Sequence, residues 1–230
     1  MEHNPLIVAL DVKDFNTAKK FVAMLKDCAG MFKIGSILFT KEGPGIVEMV
    51  KKSDKKVFLD LKYHDIPNTV GMAVRSARGL GVDMLTVHAC GGTEMMREAA
   101  KNKGGMRVVA VTVLTSIDNN IMKKELGVNR GVERQVASLA RMAKSCGLDG
   151  VVASGREIET VRKACGRNFL IVVPGVRPAA AEAGDQKRVV TPRDAVRKGA
   201  DFIVVGRPIL ESADPVSAAA SILASLRDPM

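Results

Sequence analysis

Short apolar runs alternate with longer amphipathic segments from one end of the chain to the other. The apolar runs cover residues 6–12, 31–35, 57–62, 84–89, 107–114, 150–154, 169–173 and 202–206. Each has the length of a strand and is bounded by polar or turn-forming residues. The segments between them carry helical periodicity. Residues 16–28 place Ala18, Phe21, Val22 and Leu25 on one face, and residues 133–146 do the same with Val136, Leu139, Ala140 and Ala143. Further helices are expected over 45–52, 68–80, 157–164, 192–198 and 215–226. Eight strand–helix units in 230 residues predict an α/β fold, a closed parallel (β/α)8 TIM barrel, with an open doubly wound sheet as the alternative. No Pro/Gly/Ser-rich linker divides the chain, so residues 1–230 read as a single domain. One long connection, residues 178–191, has no clear element of its own and reads as a lid over a site, with a disordered insertion as the alternative.

The third run departs from a plain buried strand. In Val57-Phe58-Leu59-Asp60-Leu61-Lys62, side-chain alternation puts Asp60 and Lys62 on one face and Leu59 and Leu61 on the other. Pro67 then ends the extended segment. Placing ions at the end of a buried strand costs several kcal/mol per ion, roughly, so stability alone rarely selects them. In a parallel barrel the C-terminal strand ends converge and carry the chemistry. By the same alternation Asp11 and Lys33 join Asp60 and Lys62 on the inward side, while Leu10, Phe32, Ile34, Leu59 and Leu61 face the helices. Other polar residues fall at strand ends: Thr86 and His88, Thr115 and Ser116, Arg177, and Gly206-Arg207.

Taken singly, each has a plainer reading. Asp11 is a turn residue, Lys33 an edge-strand solubiliser and His88 a hydrogen-bonded structural histidine. Thr115 and Ser116 start a turn or cap a helix, Arg177 is a surface residue, and Gly206-Arg207-Pro208 is a turn. Convergence of two lysines with two or three aspartates at one barrel end favours a reaction centre. Lysines among carboxylates work as ammonium groups, either general acids or electrostatic clamps, and not as Schiff-base nucleophiles. Gly206-Arg207 after the last strand suits a phosphate. The expected chemistry is a phosphorylated small substrate, a carbanion-like intermediate and a lysine that supplies a proton. Asp11, Asp60 and Asp65 are oxygen donors of the kind Mg²⁺ takes, but the adjacent lysines already neutralise them, so no metal is expected.

Composition narrows the classes. Hydrophobic residues make up 47% of the chain, yet no apolar run approaches the ~20 residues that span a bilayer. The first residues lack a signal-peptide pattern, and a soluble, cytoplasmic protein without membrane contact is expected. Cys28, Cys90, Cys146 and Cys165 are scattered and suggest neither a disulfide framework nor a zinc site. The net charge of +10 is dispersed, aromatic content is 3%, and there is no Trp and one Tyr. A base-stacking surface is poorly supplied, so no nucleic-acid partner is expected, although a basic nucleic-acid-binding protein remains the rival of a different class.

Asp60-Leu61-Lys62-Tyr63-His64-Asp65-Ile66-Pro67-Asn68-Thr69 resembles the signature of the orotidine 5′-phosphate decarboxylases. The similarity continues at Leu10-Asp11-Val12, Phe32-Lys33-Ile34-Gly35, Val113-Leu114-Thr115-Ser116, Val173-Pro174-Gly175-Val176-Arg177-Pro178, Gly184-Asp185-Gln186-Lys187-Arg188 and Val205-Gly206-Arg207-Pro208-Ile209. The resemblance implies conversion of orotidine 5′-monophosphate to UMP and CO₂ with no metal and no cofactor. It implies Lys62 as the proton donor to C6, Asp60 beside the departing carboxylate, and a charged tetrad of Lys33, Asp60, Lys62 and Asp65. It further implies a homodimer with shared active sites, in which Asp65 and Thr69 serve the neighbouring subunit. Asp11 and Lys33 would bind ribose, and Thr115 would lie near the pyrimidine. Gln186, Gly206 and Arg207 would hold phosphate, with Arg177 close by. Barrel enzymes acting on sugar phosphates, which share an Asp-x-Lys-x-x-Asp core but need Mg²⁺, are the nearest rivals.

Overall fold

An apolar run stays extended here because both of its faces are covered, one by the barrel lumen and the other by helices. The computed structural model describes residues 4–177 and 190–227. Among them, eight parallel strands close into a barrel in chain order, the last pairing back onto the first. They are β1 (Leu6–Ala9), β2 (Met31–Gly35), β3 (Val57–Tyr63), β4 (Met84–His88), β5 (Arg107–Val111), β6 (Gly150–Val152), β7 (Leu170–Val173) and β8 (Phe202–Val205). The connections hold α1 (Phe15–Leu25), α2 (Ser36–Glu42), α3 (Gly45–Lys52), α4 (Pro67–Gly79), α5 (Gly92–Asn102), α6 (Asn119–Lys124), α7 (Val132–Ser145), α8 (Ile158–Cys165), α9 (Pro192–Arg197), α10 (Arg207–Leu210) and α11 (Pro215–Arg227). The closed (β/α)8 barrel is the expected architecture, and the open sheet is excluded. No described helix is long and apolar enough to cross a membrane.

Strand alternation sorts the core into two parts. Leu6, Val8, Leu10, Phe32, Ile34, Leu59, Leu85, Val87 and Val108 face outward and join the helix-covered cluster. Ile7, Ala9, Met31, Phe58, Met84, Val109, Val172, Phe202 and Val204 fill the lumen. Lys33, Asp60 and Thr86 continue the inward parity one step nearer the C-terminal mouth. The charged end therefore rests on a packed apolar floor.

Several boundaries differ from the sequence reading. β1, β5 and β6 end at Ala9, Val111 and Val152, short of the apolar runs. One further ladder bond is made beyond each, by the N–H of Leu10, Thr112 and Ala153, before the chains diverge into the mouth. β3 runs one residue longer than expected, through Tyr63. Four helices lie outside the expected ranges: α2, α5, α6 and α10. α2 is cut from α3 by Gly43, whose φ of 63° suits glycine, and by Pro44. α5 opens on glycine and buries only Met95, Met96 and Ala99, a stripe too narrow to stand out in sequence. The residues 178–189 of the expected lid fall outside the described residues.

The opposite rim is held by a motif that recurs three times. Gly81-Val82-Asp83, Gly147-Leu148-Asp149 and Gly199-Ala200-Asp201 precede β4, β6 and β8. The glycines have φ of 77°, 82° and 108°, which lets each chain turn from helix to strand. Each aspartate then clamps the preceding strand. Asp83 accepts from Val57 N at 2.8 Å and Lys51 Nζ at 2.8 Å; Asp149 accepts from Val108 N at 2.8 Å and Lys103 Nζ at 2.6 Å. Asp201 accepts from Ile171 N at 2.7 Å and from the Arg162 guanidinium. The same three aspartates donate their own N–H to Val57, Val108 and Ile171. Asp149→Ala removes charge-assisted bonds to a strand and a lysine, and is expected to lower unfolding stability by about 2–3 kcal/mol in a urea titration. Activity per folded molecule should be unchanged, because this rim is remote from the mouth.

Candidate active site

One carboxylate, Asp60, gathers the groups at the mouth. Its Oδ2 accepts from Lys62 Nζ at 2.9 Å and lies 3.7 Å from Lys33 Nζ. Its Oδ1 accepts from the Thr86 hydroxyl at 3.0 Å. Lys33 in turn donates to Asp11 Oδ1 at 3.1 Å. The result is a row of alternating charge, Asp11, Lys33, Asp60, Lys62, contributed by β2, β3 and the residues following β1. The side chains of Lys33 and Asp60 are only 11% and 14% exposed, so water screens this pair weakly. Gly35 gives the row room: a Cβ there would stand 3.1 Å from Lys33 Nζ and 3.3 Å from Asp11 Oδ1.

The row divides two cavities. The first, about 190 Å³, has an apolar wall that includes Phe58, Val111, Val152 and Val172, with Lys33, Asp60, Lys62 and Thr115 at its polar edge. The second, about 220 Å³, shares Lys33 and Asp60 and adds Asp11, Arg177, Gly206 and Arg207. The first offers an apolar wall to the face of a ring, and the second offers the cations Lys33, Arg177 and Arg207 to an anion. Among the described residues no group of three or more His, Cys, Asp or Glu is arranged to hold a metal ion.

The structure brings the sequence-predicted Asp11, Lys33, Asp60 and Lys62 together as ion pairs, with Thr115, Arg177, Gly206 and Arg207 lining the same two cavities. Two expected members stand apart. Asp65 is exposed and its Oδ1 accepts from the N–H of Ile66 at 2.6 Å; it makes no ion pair among the described residues. Thr69 is exposed on the first turn of α4. Gln186 lies outside the described residues. Thr86 is a strand-end residue to which the sequence pattern assigns no role, yet the structure places it on Asp60. Its signal was present, because a polar residue on the inward parity of the strand beside β3 must meet whatever β3 presents there.

His88 continues the inward side of β4 above Thr86. Its ring centroid lies 5.5 Å from that of His64, at 41°. Its Nδ1 is buried without a hydrogen-bond partner, so the hydrogen-bonded structural histidine expected from sequence is not what is found on that nitrogen. Burial, and then the neighbouring His64 and Lys62, push the imidazole below its ordinary 6.5, with Asp60 opposing. A histidine held neutral in the fold but free to protonate when unfolded favours unfolding in acid. Its full contribution is present above pH 6.5 and is lost as pH falls through the lower folded value. The urea midpoint is expected to fall between about pH 7.5 and 5.5, and to fall less in His88→Gln.

Known proteins resemble the chain over nearly its whole length. A family model described as "Orotidine 5'-phosphate decarboxylase / HUMPS family" matches residues 4–222. A curated relative from Moorella thermoacetica, named orotidine 5′-phosphate decarboxylase, is 51% identical over 96% of this chain and 91% of its own length. One of the same name from Geobacter sulfurreducens is 50% identical over 95% of this chain and 94% of its own. The crystal structure of orotidine 5′-phosphate decarboxylase from Lactobacillus acidophilus matches with a TM-score of 0.87 at 35% identity, covering 98% of this chain and 100% of that one. From the first strand of the barrel to its last helix, the chain belongs to the orotidine 5′-phosphate decarboxylase / HUMPS family.

Proposed function

We infer that the chain carries out the reaction for which its curated relatives are named, decarboxylation of orotidine 5′-monophosphate to UMP and CO₂, the step that completes UMP in pyrimidine nucleotide biosynthesis. The observation that carries this reading is the row Asp11–Lys33–Asp60–Lys62 set between an apolar cavity and one that bears arginines. The pyrimidine occupies the apolar side near Thr115. The ribose hydroxyls meet Asp11 and Lys33. The phosphate lies toward Gly206 and Arg207, with Arg177 close by and Gln186 from the 178–191 segment completing its grip.

The chemistry follows from charge. Breaking the C6–carboxylate bond leaves an electron pair on a ring carbon as CO₂ departs. The Lys62 ammonium, held by Asp60, stabilises that pair and then gives C6 a proton, leaving a neutral amine that is reprotonated from solvent. Asp60 faces the substrate carboxylate, so its charge disfavours the bound anion more than the neutral CO₂ that leaves. No step in this sequence calls for a metal or an organic cofactor. Phosphate binding far from C6 supplies energy that closes and orders the site.

The reading also includes a homodimer with shared sites. Asp65 and Thr69 are exposed, and Ile37 on α2, Ile66 just before α4 and Met72 on α4 stand 74%, 67% and 63% exposed. Exposed apolar side chains around an incomplete charged tetrad are what a second subunit would cover. A phosphorylated nucleotide does not cross membranes unaided, which is the reason for placing the reaction in the cytoplasm.

A UV assay of orotidine 5′-monophosphate turnover tests the reaction, and a strong chelator should leave the rate unchanged; loss on chelation would favour the Mg²⁺-dependent sugar-phosphate chemistry instead. Lys62→Ala is expected to fold and to lose more than about 10⁴-fold in kcat, since proton donation and charge stabilisation disappear together. Asp65→Asn and Lys62→Ala, each inactive, should recover part of the activity when mixed and allowed to exchange subunits. No recovery after demonstrated exchange contradicts a shared site.

A further inference from the structure

β3 and β4 run in register at Phe58↔Met84 and Leu59↔Leu85, then resume only at Tyr63↔Val87. Four residues on β3 are thus matched by two on β4, a bulge that falls on the catalytic stretch. Within it Lys62 has φ of 53°, a left-handed conformation uncommon for a side-chain-bearing residue. Such backbone persists only where its surroundings fix it. Within the bulge the Lys62 N–H donates to Thr86 Oγ1 at 2.8 Å. Thr86 is 0% exposed, and its hydroxyl proton goes to Asp60 Oδ1 at 3.0 Å. The other oxygen of Asp60 takes the Lys62 ammonium at 2.9 Å. The lysine is therefore gripped twice, by its backbone through Thr86 and by its side chain through Asp60, and the same hydroxyl joins the two grips.

We infer that Thr86 is a positioning residue for the reaction: its hydroxyl fixes the bulged backbone of Lys62 and the carboxylate of Asp60 as one unit, and so sets where the ammonium delivers its proton. The inference rests on the reading of Lys62 and Asp60 as the reacting pair. The hydroxyl gives its single hydrogen to Asp60 and accepts one from the Lys62 N–H. An isosteric methyl leaves a buried N–H and a carboxylate oxygen unpartnered, and both then shift toward other partners. A misplacement of about 1 Å at a reacting group is enough to cost on the order of 100-fold in rate.

The test compares Thr86→Val and Thr86→Ser with the unaltered chain, measuring kcat and KM separately alongside thermal melts. Thr86→Val should lose about 10-fold to 100-fold in kcat, with KM changed little, because the phosphate and ribose contacts are untouched. Thr86→Ser keeps the hydroxyl and should restore most of the rate. If Thr86→Val melts lower but turns over at the normal rate, Thr86 is only a structural cap and the inference is wrong. Should Thr86→Val fail to fold, Thr86→Ser still decides: a loss as large as that expected for valine overturns the role of the hydroxyl. Lys62→Ala measured in parallel separates the two levels, since an active Lys62→Ala removes the reading of the pair itself, whereas an inactive one beside a fully active Thr86→Val removes only the role of Thr86.

Discussion

The Asp60 carboxylate, shared between two ammonium groups above an apolar floor, is the interaction on which the site depends. Two lysines 2.9 and 3.7 Å from one carboxylate would repel each other in its absence. With it they form an alternating row that begins at Asp11, whose two middle members, Lys33 and Asp60, are largely taken out of water. The floor matters as much as the charges. Phe58, Met84, Val109 and Val172 fill the lumen below, so the row rests on buried apolar side chains and opens toward the cavities above.

The barrel separates the demands of stability from those of chemistry by placing them at opposite ends. At the N-terminal rim, three aspartates each satisfy a strand N–H and a cation, and the helix–strand turns are made by glycines where the backbone requires them. These carboxylates have fixed partners and are at rest. At the C-terminal mouth the backbone is less regular. β3 bulges, Lys62 adopts a left-handed conformation, and His88 keeps a buried nitrogen without a partner. Irregularity of this kind collects where function requires a geometry that a plain strand does not provide.

Much of this was legible in the sequence. Period-two alternation separated Asp60 and Lys62 from Leu59 and Leu61, and the same parity placed Asp11 and Lys33 beside them. What alternation could not reveal was the bulge. Lys62 faces inward as an ideal strand would have it, but by a positive φ and a hydroxyl from the neighbouring strand. For the same reason Thr86 was passed over: its importance comes from what lies across the ladder, not from its own neighbours in sequence. The Gly-x-Asp repeats escaped notice because each is three residues long among many glycines and aspartates, and only the barrel brings their partners together. α5 escaped because Met95, Met96 and Ala99 make a thin stripe on a charged segment. Asp65 is the instructive case at the site. Its place in a tetrad came from resemblance, and within a single chain it turns to Ile66 instead.

The most direct test is a crystal structure of the protein in its solution assembly with UMP bound. The ammonium of Lys62 is predicted to lie within about 3.5 Å of C6, the distance of a group poised for proton transfer, with Asp60 on the same side and the phosphate at Arg207. UMP bound with C6 turned away from Lys62, or with its phosphate against Lys33 and Lys62 in place of Arg207, would contradict the assignment of the row as the reacting centre.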